Sequence, residues 1–438
     1  MDVDCFYTSA LSESKNKSKT YENKYIMTGL ATNIDYVTHL NKEHIKDKCL
    51  YTRFNEETVI KDKNDFYSAL YSYISTGRGG ELLVENNEIC EWMKNEFPWE
   101  FKIGGTGAQI CNALSMLNNK VILHSTYMSE KLKALLFGEN IYLPSGNKIL
   151  KLDKCNYEKT PYEHFIFEFD ESLIVGDKDK EIKCPRANRL IMHLDENLEF
   201  NKDFLEFALE NAKCIRAIVL SGFNIISNKE NLQQKLDYVS KCIKQIKALN
   251  NDIFVYFENG DTKNKELKEL IFFSVLDFAD CIGMNENEFE DLLANRNMQV
   301  DVKNINDLLE KALYTYNELN FKELIIHTEN FSVGITGNNP IKVRDSLFMG
   351  NLVSCNRART GWFGGYEELR DCIKEIPAST EGIEQIEGLI KKGIIDENLI
   401  CKINESQAIA VAPSRKVCMP VCTVGLGDSF VAGFISLK

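Results

Sequence analysis

The sequence lacks a long apolar run, a surplus of basic residues and any C-x-x-C cysteine pair. Its longest apolar stretches, such as IRAIVL at 215–220, fall well short of the ~18 residues that a membrane-spanning helix needs. The formal net charge of -13 disfavours broad electrostatic binding to nucleic acid or to an anionic membrane. We therefore expect neither a membrane segment nor a nucleic-acid partner, although a nucleotide could still bind at a local positive site.

The cysteines are numerous but scattered. All 14 lie between Cys5 and Cys422, and the acidic, polar start MDVDCFYTSALSESK lacks the basic and apolar regions of a signal peptide. These features predict reduced thiols and a cytoplasmic protein. With 438 residues, 44% hydrophobic and 27% charged, the chain has the composition of a globular protein and room for a large core plus a smaller unit.

An alternation of strand and helix patterns dominates the chain from about residue 190 onward. Short apolar runs such as RLIMHL, IRAIVLSG and IFVYFE alternate with amphipathic stretches such as KLDYVSKCIKQIKAL. This rhythm is typical of a mostly parallel sheet with helices between its strands. We therefore predict an α/β fold with a doubly wound core.

The N-terminal part of the chain predicts a second unit. YIMTGLATNIDYV reads as a first core strand and its outgoing loop, whereas residues 37–98 are highly charged and mixed in pattern. The segment HFIFEFDESLIVGD alternates apolar and polar residues, which predicts antiparallel strands of a sheet exposed on one face. We predict a core of residues 1–36, 99–157 and 193–438, closed by a smaller α+β lid of residues 37–98 and 158–192.

The strongest local signal is TVGLGDSFVAGFIS at 423–436. Gly425 and Gly427 permit a tight turn, so the amides of Gly425, Leu426, Gly427 and Asp428 can converge on an anion above a helix start. Such a site, reinforced by the helix dipole, suits the charge on a transferring phosphoryl group. Asp428 could then accept a proton from a substrate hydroxyl. The alternative is a glycine turn with Asp428 as an ordinary N-cap.

Acidic residues follow two predicted strands. GMNENEFEDLL comes after the apolar FADCI, so Asn285, Glu286 and Glu288 lie at a strand's carboxyl end, and Glu258 ends IFVYFE. Ligands of open α/β sheets bind at that edge. Acids beside a phosphate chain need a hard cation, and Mg²⁺ is usually held by one or two carboxylates together with water. Glu258 and Glu288 are thus candidate Mg²⁺ residues; the alternative is a capped, solvated first helical turn.

A second glycine-rich segment, FKIGGTGAQICNALSML, precedes a helix pattern. Gly104 and Gly105 would let a small polyol approach the backbone, and the amide of Asn112 can donate and accept hydrogen bonds. The G-G-x-G spacing differs from the dinucleotide fingerprint, and a plain glycine turn fits it equally well. Asn33 and Asp35 follow the first strand, where they could bind paired sugar hydroxyls or form an Asx turn.

Two arginines, Arg186 and Arg189 in CPRANRLIMHLD, lie where the predicted lid returns to the core. The planar guanidinium group matches the geometry of phosphate oxygens. A solvated surface position is the alternative, because surface arginines are common.

Taken in order, NIDYV, IGGTGAQICNAL, PRANRLI, VYFE, GMNENE and VGLGDSF resemble motifs of the ADP-dependent glucokinase/phosphofructokinase family, from about residue 25 to the end. The resemblance implies a ribokinase-like core closed by a lid, and transfer of the β-phosphoryl group of ADP to a hexose or hexose phosphate. It implies that Asp428 is the general base, that the amides of 425–428 form the anion hole, and that Glu258 and Glu288 hold Mg²⁺ largely through water.

The same resemblance implies the sugar contacts. These are Asn33, Asp35, Gly104 and Gly105, with Glu81 in GRGGELLV as a lid contact. Arg186 and Arg189 match the family's phosphate-binding arginine region, without an indication of which one meets ADP and which the sugar.

One departure from the family is plain. Where the family usually has His-x-Glu, this chain has Tyr256-Phe257-Glu258. Because Mg²⁺ prefers oxygen ligands, we expect the metal role to persist. An ATP-dependent sugar kinase of the same superfamily remains an alternative, since nothing in the glycine turn distinguishes ADP from ATP. A sugar- or nucleotide-binding regulator without turnover is another, although the intact Asp428 argues against it.

Overall fold

The computed structural model describes residues 2–46, 48, 54–55, 59–155, 162–176, 181–194, 198–260 and 264–438. Over these residues the strands form an eleven-stranded sheet, a five-stranded sheet and a two-stranded ribbon. None of the helices in these ranges combines the length and the apolar character needed to cross a membrane.

The strands follow one another along the whole chain. In order they are β1 (Tyr25–Gly29), β2 (Asn33–His39), β3 (Gly80–Val84), β4 (Glu100–Gly104), β5 (Lys120–Leu123), β6 (Ile141–Ser145), β7 (Lys148–Lys151), β8 (Glu163–Phe169), β9 (Ile174–Val175), β10 (Ile182–Lys183), β11 (Asn188–Leu194), β12 (Ile215–Leu220), β13 (Phe254–Glu258), β14 (Cys281–Asn285), β15 (Glu323–His327), β16 (Phe331–Thr336), β17 (Ile400–Asn404) and β18 (Gln407–Pro413).

Many of the helices begin at an Asn or Asp whose side chain accepts hydrogen bonds from first-turn amides, as at Asp62, Asn228 and Asn339. The helices are α1 (Val3–Thr20), α2 (Lys42–Ile45), α3 (Lys63–Thr76), α4 (Asn87–Glu96), α5 (Thr106–Met116), α6 (Glu130–Ala134), α7 (Lys202–Glu210), α8 (Lys229–Leu249), α9 (Lys265–Leu276), α10 (Glu286–Ala294), α11 (Ile305–Glu318), α12 (Pro340–Thr360), α13 (Tyr366–Glu375), α14 (Thr380–Lys391) and α15 (Leu426–Ser436).

The large sheet has the strand order β17-β18-β16-β15-β14-β13-β12-β1-β5-β6-β7. Its strands from β15 to β6 are all parallel, and antiparallel strands flank them on both sides. Parallel strands covered on both faces read as continuous apolar runs, and β12 is buried along its whole length. The predicted α/β class with a mostly parallel core sheet is confirmed.

The five-stranded sheet has the order β3-β11-β8-β2-β4 and forms the smaller α+β unit. Strands β8 and β11 pair antiparallel, as the alternating pattern predicted. One face of this sheet packs in an aromatic cluster of Phe66, Trp92, Phe97, Trp99, Phe165 and Phe167. The other face carries Asp35 and faces the large sheet's helix α15, since the charges of Asp35 and Asp428 interact.

Strand pairing assigns parts of two predicted core segments to the smaller sheet instead. Residues 33–36, expected in the loop after the first core strand, begin β2, and residues 100–104 form its antiparallel partner β4. The reason is the alternation in NIDYVTH, which places Ile34 and Tyr36 on the face of the aromatic cluster and Asp35 on the opposite face. The predicted boundary between residues 157 and 158 lies outside the described residues, and the division into core and lid remains a prediction.

The crossing of α12 and α15 is unusually close because glycines face each other. A Cβ atom on Gly433 would lie 2.4 Å from the carbonyl oxygen of Met349 and 2.8 Å from the Cα atom of Gly350. A Cβ atom on Gly350 would lie 2.8 Å from the ring of Phe430. Because the first turn of α15 carries Asp428, this crossing sets the position of the predicted anion hole.

We predict that Gly433→Ala destabilises the protein by about 1–3 kcal/mol, because the added methyl group meets backbone atoms that cannot move aside. The matched control is Gly388→Ala in α14, where a Cβ atom meets nothing within 4 Å. That control should leave stability unchanged or raise it by up to about 1 kcal/mol. Thermal melting compares the two variants, and equal melting temperatures would contradict the close crossing.

Candidate active site

The glycine turn before α15 has the conformation that an anion site requires. Gly425 is the N-cap of α15 with φ of 72°, in the left-handed region that favours glycine. A Cβ atom there would lie 1.8 Å from Oε1 of Gln109. The first amides of a helix have no partner within the helix, so those of 426–428 are oriented toward whatever lies above the helix start. The residues of the predicted anion hole therefore lie together.

Asp428 lies in the first turn of α15 and is a half-buried residue. Burial raises its pKa to about 7, and the nearby charge of Glu258 adds to this effect. A hydrogen bond with Thr106 and the charge of Arg357 act in the opposite direction. Since Gly425 rather than Asp428 is the N-cap, the capping alternative fails. A carboxyl group with a pKa near 7 suits a general base.

Glu258 is the acid at the carboxyl end of β13, and it is buried and doubly hydrogen-bonded. The hydroxyl of Tyr256 donates to Oε2 at 2.9 Å, and Nε2 of His327 lies 3.1 Å from Oε1. Burial raises the pKa of Tyr256 well above its usual value, so the phenol keeps its proton and remains a donor. Tyr256 thus supports the carboxylate from the sequence position where the family usually has histidine.

His327 ends β15, and the sequence analysis did not single it out as a site residue. Its side chain is only 12% exposed, and this burial disfavours the charged form. The hydrogen bond and charge of Glu258, together with the charges of Glu288 and Glu286, nevertheless raise the pKa of His327 above its usual value. The signal that could have found it is its position, because KELIIHT ends a third strand at the same sheet edge. The imidazole of His327 therefore lies close to acids from two neighbouring strand ends, Glu258 on one side and Glu286 and Glu288 on the other.

Glu288 is buried in the first turn of α10, where it forms a capping box. The amide of Asn285 donates to its Oε2 at 3.0 Å, and its own amide donates to Oδ1 of Asn285 at 3.0 Å. Oε2 of Glu288 therefore serves as a helix cap, as the alternative interpretation predicted. The negative charge of the Glu288 carboxylate still acts on His327. No group of three or more His, Cys, Asp or Glu residues within the described part of the chain could enclose a metal ion. A sparse set of carboxylate oxygens fits Mg²⁺ that keeps several waters.

The predicted sugar contacts at the start of β2 and the end of β4 lie together. Asn33 pairs with Gly104, and Nδ2 of Asn33 donates to Oδ1 of Asp35 at 2.6 Å. A Cβ atom on Gly104 would lie 2.1 Å from both polar atoms, and one on Gly105 would lie 2.8 Å from Oδ1 of Asn33. The two glycines thus make room for this amide–carboxylate pair, which is a polar surface suited to hydroxyl groups.

Asn112 has a different role from the one predicted. Its side chain is fully buried; Nδ2 donates to the carbonyl of Leu135 at 2.9 Å, and Oδ1 accepts from the amide of Phe137 at 2.8 Å. The amide of Asn112 therefore joins the segment after α6 to α5 by two hydrogen bonds. This contradicts the expectation that Asn112 contacts a sugar. Buried amides are commonly satisfied by backbone groups in this way.

The face of the smaller sheet that carries Asp35, called the cleft face below, also carries two histidines that were not among the predicted site residues. His164 on β8 pairs with Asp35 on one side and with His193 on the other. The two rings lie 4.8 Å apart, and Nε2 of His193 lies 2.9 Å from Oε1 of Glu81. The alternation in HFIFEF and RLIMHL was the available signal, because it places both histidines on the polar face. Glu81 is thus joined to the cleft face that carries Asp35.

A cavity of about 480 Å³ lies between the smaller sheet and the segment before α15. Arg186 and Arg189 both line it, as do Asp35 and Arg357. Nε of Arg186 donates to the carbonyl of Gly77 at 2.9 Å, and Nη1 of Arg189 donates to Oγ1 of Thr423 at 3.5 Å. The predicted phosphate-binding arginines therefore face the same space as Asp35. Arg357, which interacts with Asp428, is a basic residue of this cavity that the sequence analysis missed.

Comparison with known proteins assigns the chain to a family. The conserved region of ADP-specific phosphofructokinase/glucokinase matches residues 24–436. The chain belongs to this family. It is 25% identical to an ADP-specific phosphofructokinase of Pyrococcus horikoshii, over 94% of this chain and 97% of the relative. It is 28% identical to an ADP-dependent glucose/glucosamine kinase of Pyrococcus abyssi, over 93% of this chain and 92% of the relative.

Solved structures of the family have the same fold. An ADP-dependent kinase in complex with fructose-6-phosphate and ADPbetaS matches with a TM-score of 0.81 and 22% identity, covering 100% of this chain and 98% of that one. The last common ancestor of ADP-dependent phosphofructokinases from Methanosarcinales matches with a TM-score of 0.80 and 23% identity, with the same coverage. The family resemblance is confirmed, and the α/β fold with its mostly parallel sheet is shared with these structures of ADP-dependent kinases.

Asp428→Asn tests the raised pKa through stability in metal-free protein. A carboxyl group whose pKa is about 7 when folded and near 3.8 when unfolded stabilises the folded state at low pH and loses this contribution as pH rises toward 7. The asparagine variant should therefore be more stable than the original at pH 8, by at least about 1 kcal/mol, with a smaller difference at pH 5. Chemical unfolding with chelator present measures this, and a difference independent of pH would refute the shift.

Proposed function

We propose that this chain is an ADP-dependent sugar kinase, transferring the β-phosphoryl group of ADP to a hexose or hexose phosphate and releasing AMP in carbohydrate breakdown. The observation that carries the proposal is Asp428, a carboxyl group with a pKa raised to about 7 in the turn that presents the helix amides. Family membership supports ADP as the donor. Relatives named for both kinds of acceptor support the two acceptor classes.

The reaction would begin with the acceptor hydroxyl beside Asp428. The ionised carboxylate takes the hydroxyl proton as the oxygen attacks the phosphorus, and a pKa near 7 suits that transfer at neutral pH. Asp35 and Asn33 hold the sugar by its hydroxyls, next to the backbone of Gly104 and Gly105. This orientation brings the attacking oxygen to the base, so that much of the entropy lost in orienting the reactants is already lost when the sugar binds.

The amides of 425–428 would stabilise the negative charge on the transferring group, with the helix dipole acting in the same sense. Glu258 and Glu288 would hold Mg²⁺, largely through water, and the ion when bound would neutralise phosphate charge. Tyr256 and His327 orient Glu258 by hydrogen bonds to its two oxygens. The charge of Arg357 acts on the Asp428 carboxylate and favours its ionised form.

We further propose that glucose is an acceptor, with Glu81 binding its hydroxyls, and that the protein acts in the cytoplasm. The cysteines among the described residues are all free thiols, in keeping with a reducing compartment. Fructose 6-phosphate is a second candidate, because Arg186 and Arg189 line the cavity beside Asp35 and can bind a phosphate group. An arginine that can bind a phosphate group does not prevent a neutral hexose from binding in the same cavity.

A coupled assay tests the function by comparing ADP with ATP over a panel of hexoses and their phosphates. We expect phosphorylation with ADP and AMP as a product, and we expect Asp428→Asn to lower turnover by about 10²–10⁴-fold while nucleotide binding persists. Faster reaction with ATP would favour the ATP-dependent alternative. Binding of sugar and nucleotide without turnover would favour the regulator.

Glu288→Gln separates the metal role from the capping role. Glutamine at this helix position preserves the capping box, so the melting temperature should barely change. Loss of the charge should raise the Mg²⁺ concentration needed for half-maximal activity, by about 3-fold or more, because the water shell of the ion loses an anionic acceptor. Glu290→Gln, on the exposed side of α10, is the control. Equal metal requirements in all three proteins, or full activity in excess chelator, would exclude the metal role.

Glu81→Ala tests the acceptor. The variant should lower kcat/KM for glucose by at least ~10-fold, because a hydrogen bond to a charged group contributes about 1.5–3 kcal/mol. Activity toward fructose 6-phosphate should fall less. Glu85→Ala, which removes only an exposed ion pair with Lys61, is the matched control. An equal loss on both acceptors would show that Glu81 does not distinguish them.

A further inference from the structure

A continuous polar row crosses the cleft face of the smaller sheet. Asp35, His164 and His193 are cross-strand neighbours on β2, β8 and β11, and such neighbours share one face of a sheet. Glu81 extends the row from β3, where it contacts His193. Asp35 and Glu81 belong to the proposed sugar site, but the two histidines between them have no place yet in the mechanism.

Both ring nitrogens of His193 have acceptor groups as neighbours. Its Nδ1 lies 2.7 Å from the carbonyl oxygen of Leu194, and its Nε2 lies 2.9 Å from Oε1 of Glu81. A carbonyl oxygen and a carboxylate oxygen both accept hydrogen bonds. The ring of His193 is therefore held between the backbone and the carboxylate of Glu81.

His124 shows the opposite arrangement and provides a comparison within the chain. Its Nδ1 lies 2.8 Å from the carbonyl of Leu30, while its Nε2 accepts from the amide of Asn201 at 3.0 Å. One donor and one acceptor describe a neutral ring, and burial correspondingly lowers the pKa of His124 to about 4. His193 differs from His124 in that each of its ring nitrogens faces an acceptor.

The two members of the His193–Glu81 pair differ in exposure. His193 is 4% exposed and its ring lies against that of His164, whereas the side chain of Glu81 is 44% exposed. An exposed glutamate normally samples many rotamers and loses that freedom when it binds a ligand. A hydrogen bond to a rigid, buried ring orients the carboxylate beforehand, which reduces the entropy cost of binding.

We infer that His193 is a positioning residue that holds Glu81 in the orientation needed to bind a neutral hexose. The inference rests on the proposed function, in which Glu81 is a sugar contact. His193 itself does not touch the sugar, so its effect passes through Glu81. Its loss should weaken hexose binding and leave the chemical step at Asp428 unchanged.

A double-mutant cycle on glucose binding tests this inference by calorimetry, which needs no turnover. His193→Leu should raise the Kd for glucose by about 5–10-fold, and should raise KM with kcat unchanged within about 2-fold. His193→Gln, whose amide can still donate to Glu81, should recover most of the affinity. In a Glu81→Ala background, His193→Leu should have no further effect. His44→Gln, a lid histidine beside Phe97, is the control and should bind glucose normally.

The contrary outcomes are distinct. The inference would be overturned if His193→Leu raised the Kd for glucose equally with and without Glu81. It would also be overturned if His193→Leu left the Kd unchanged in both backgrounds. If His193→Leu does not fold, the cycle is run with His193→Asn, for which the same loss of coupling is expected. A protein that binds no glucose but phosphorylates fructose 6-phosphate from ADP would refute this inference and leave the kinase function standing. Coupled glucose binding without phosphorylation of any sugar would refute the function and leave the role of His193 intact.

Discussion

The chemistry of the site depends on the burial of Asp428 beside two other acids. Asp428 lies at the start of a core helix, Glu258 ends a core strand and Asp35 lies on the smaller sheet, and the charges of Glu258 and Asp35 both act on Asp428. Because this repulsion adds to the effect of burial, Asp428 is a stronger base than an exposed aspartate. The cost is a folded state that is less stable at high pH, which the surrounding packing must offset. The close glycine crossing of α12 and α15 supplies such packing directly behind the turn.

Glu258 has a hydrogen-bond partner at each of its oxygens. A phenol and an imidazole are the two neighbours, and a raised pKa keeps His327 cationic over a wider pH range. A charged His327 offsets part of the negative charge at the strand ends. Tyr256 gives Glu258 a neutral donor, and Gly283 makes this possible because its missing Cβ leaves room for the phenol.

Much of this arrangement was predictable from the sequence, because motifs at strand ends meet at one sheet edge whatever the rest of the chain does. Glu258 and Glu288 were found in that way, and Asp428 was found from the glycine turn that precedes its helix. Asn112 was not, because sequence cannot show that a polar side chain next to a glycine turn points toward buried carbonyl groups. Strand β2 was taken for the start of a loop because its alternation begins only three residues after β1 ends. The alternation of its strand places His193 on the polar face, but its significance comes from Glu81, a partner that lies far away in sequence.

In the proposed mechanism the two sheets contribute different groups. The large sheet would supply the acids, the imidazole and the helix amides, while the smaller sheet would supply Asp35 and Glu81. Arg189 reaches Thr423 at 3.5 Å, at the limit of a hydrogen bond, across a cavity of about 480 Å³. That single hydrogen bond contributes little, so a ligand that touches both sides of the cavity would add contacts between them. An acceptor bound between Asp35 and Asp428 would be such a ligand, which couples recognition by the smaller sheet to chemistry on the larger one.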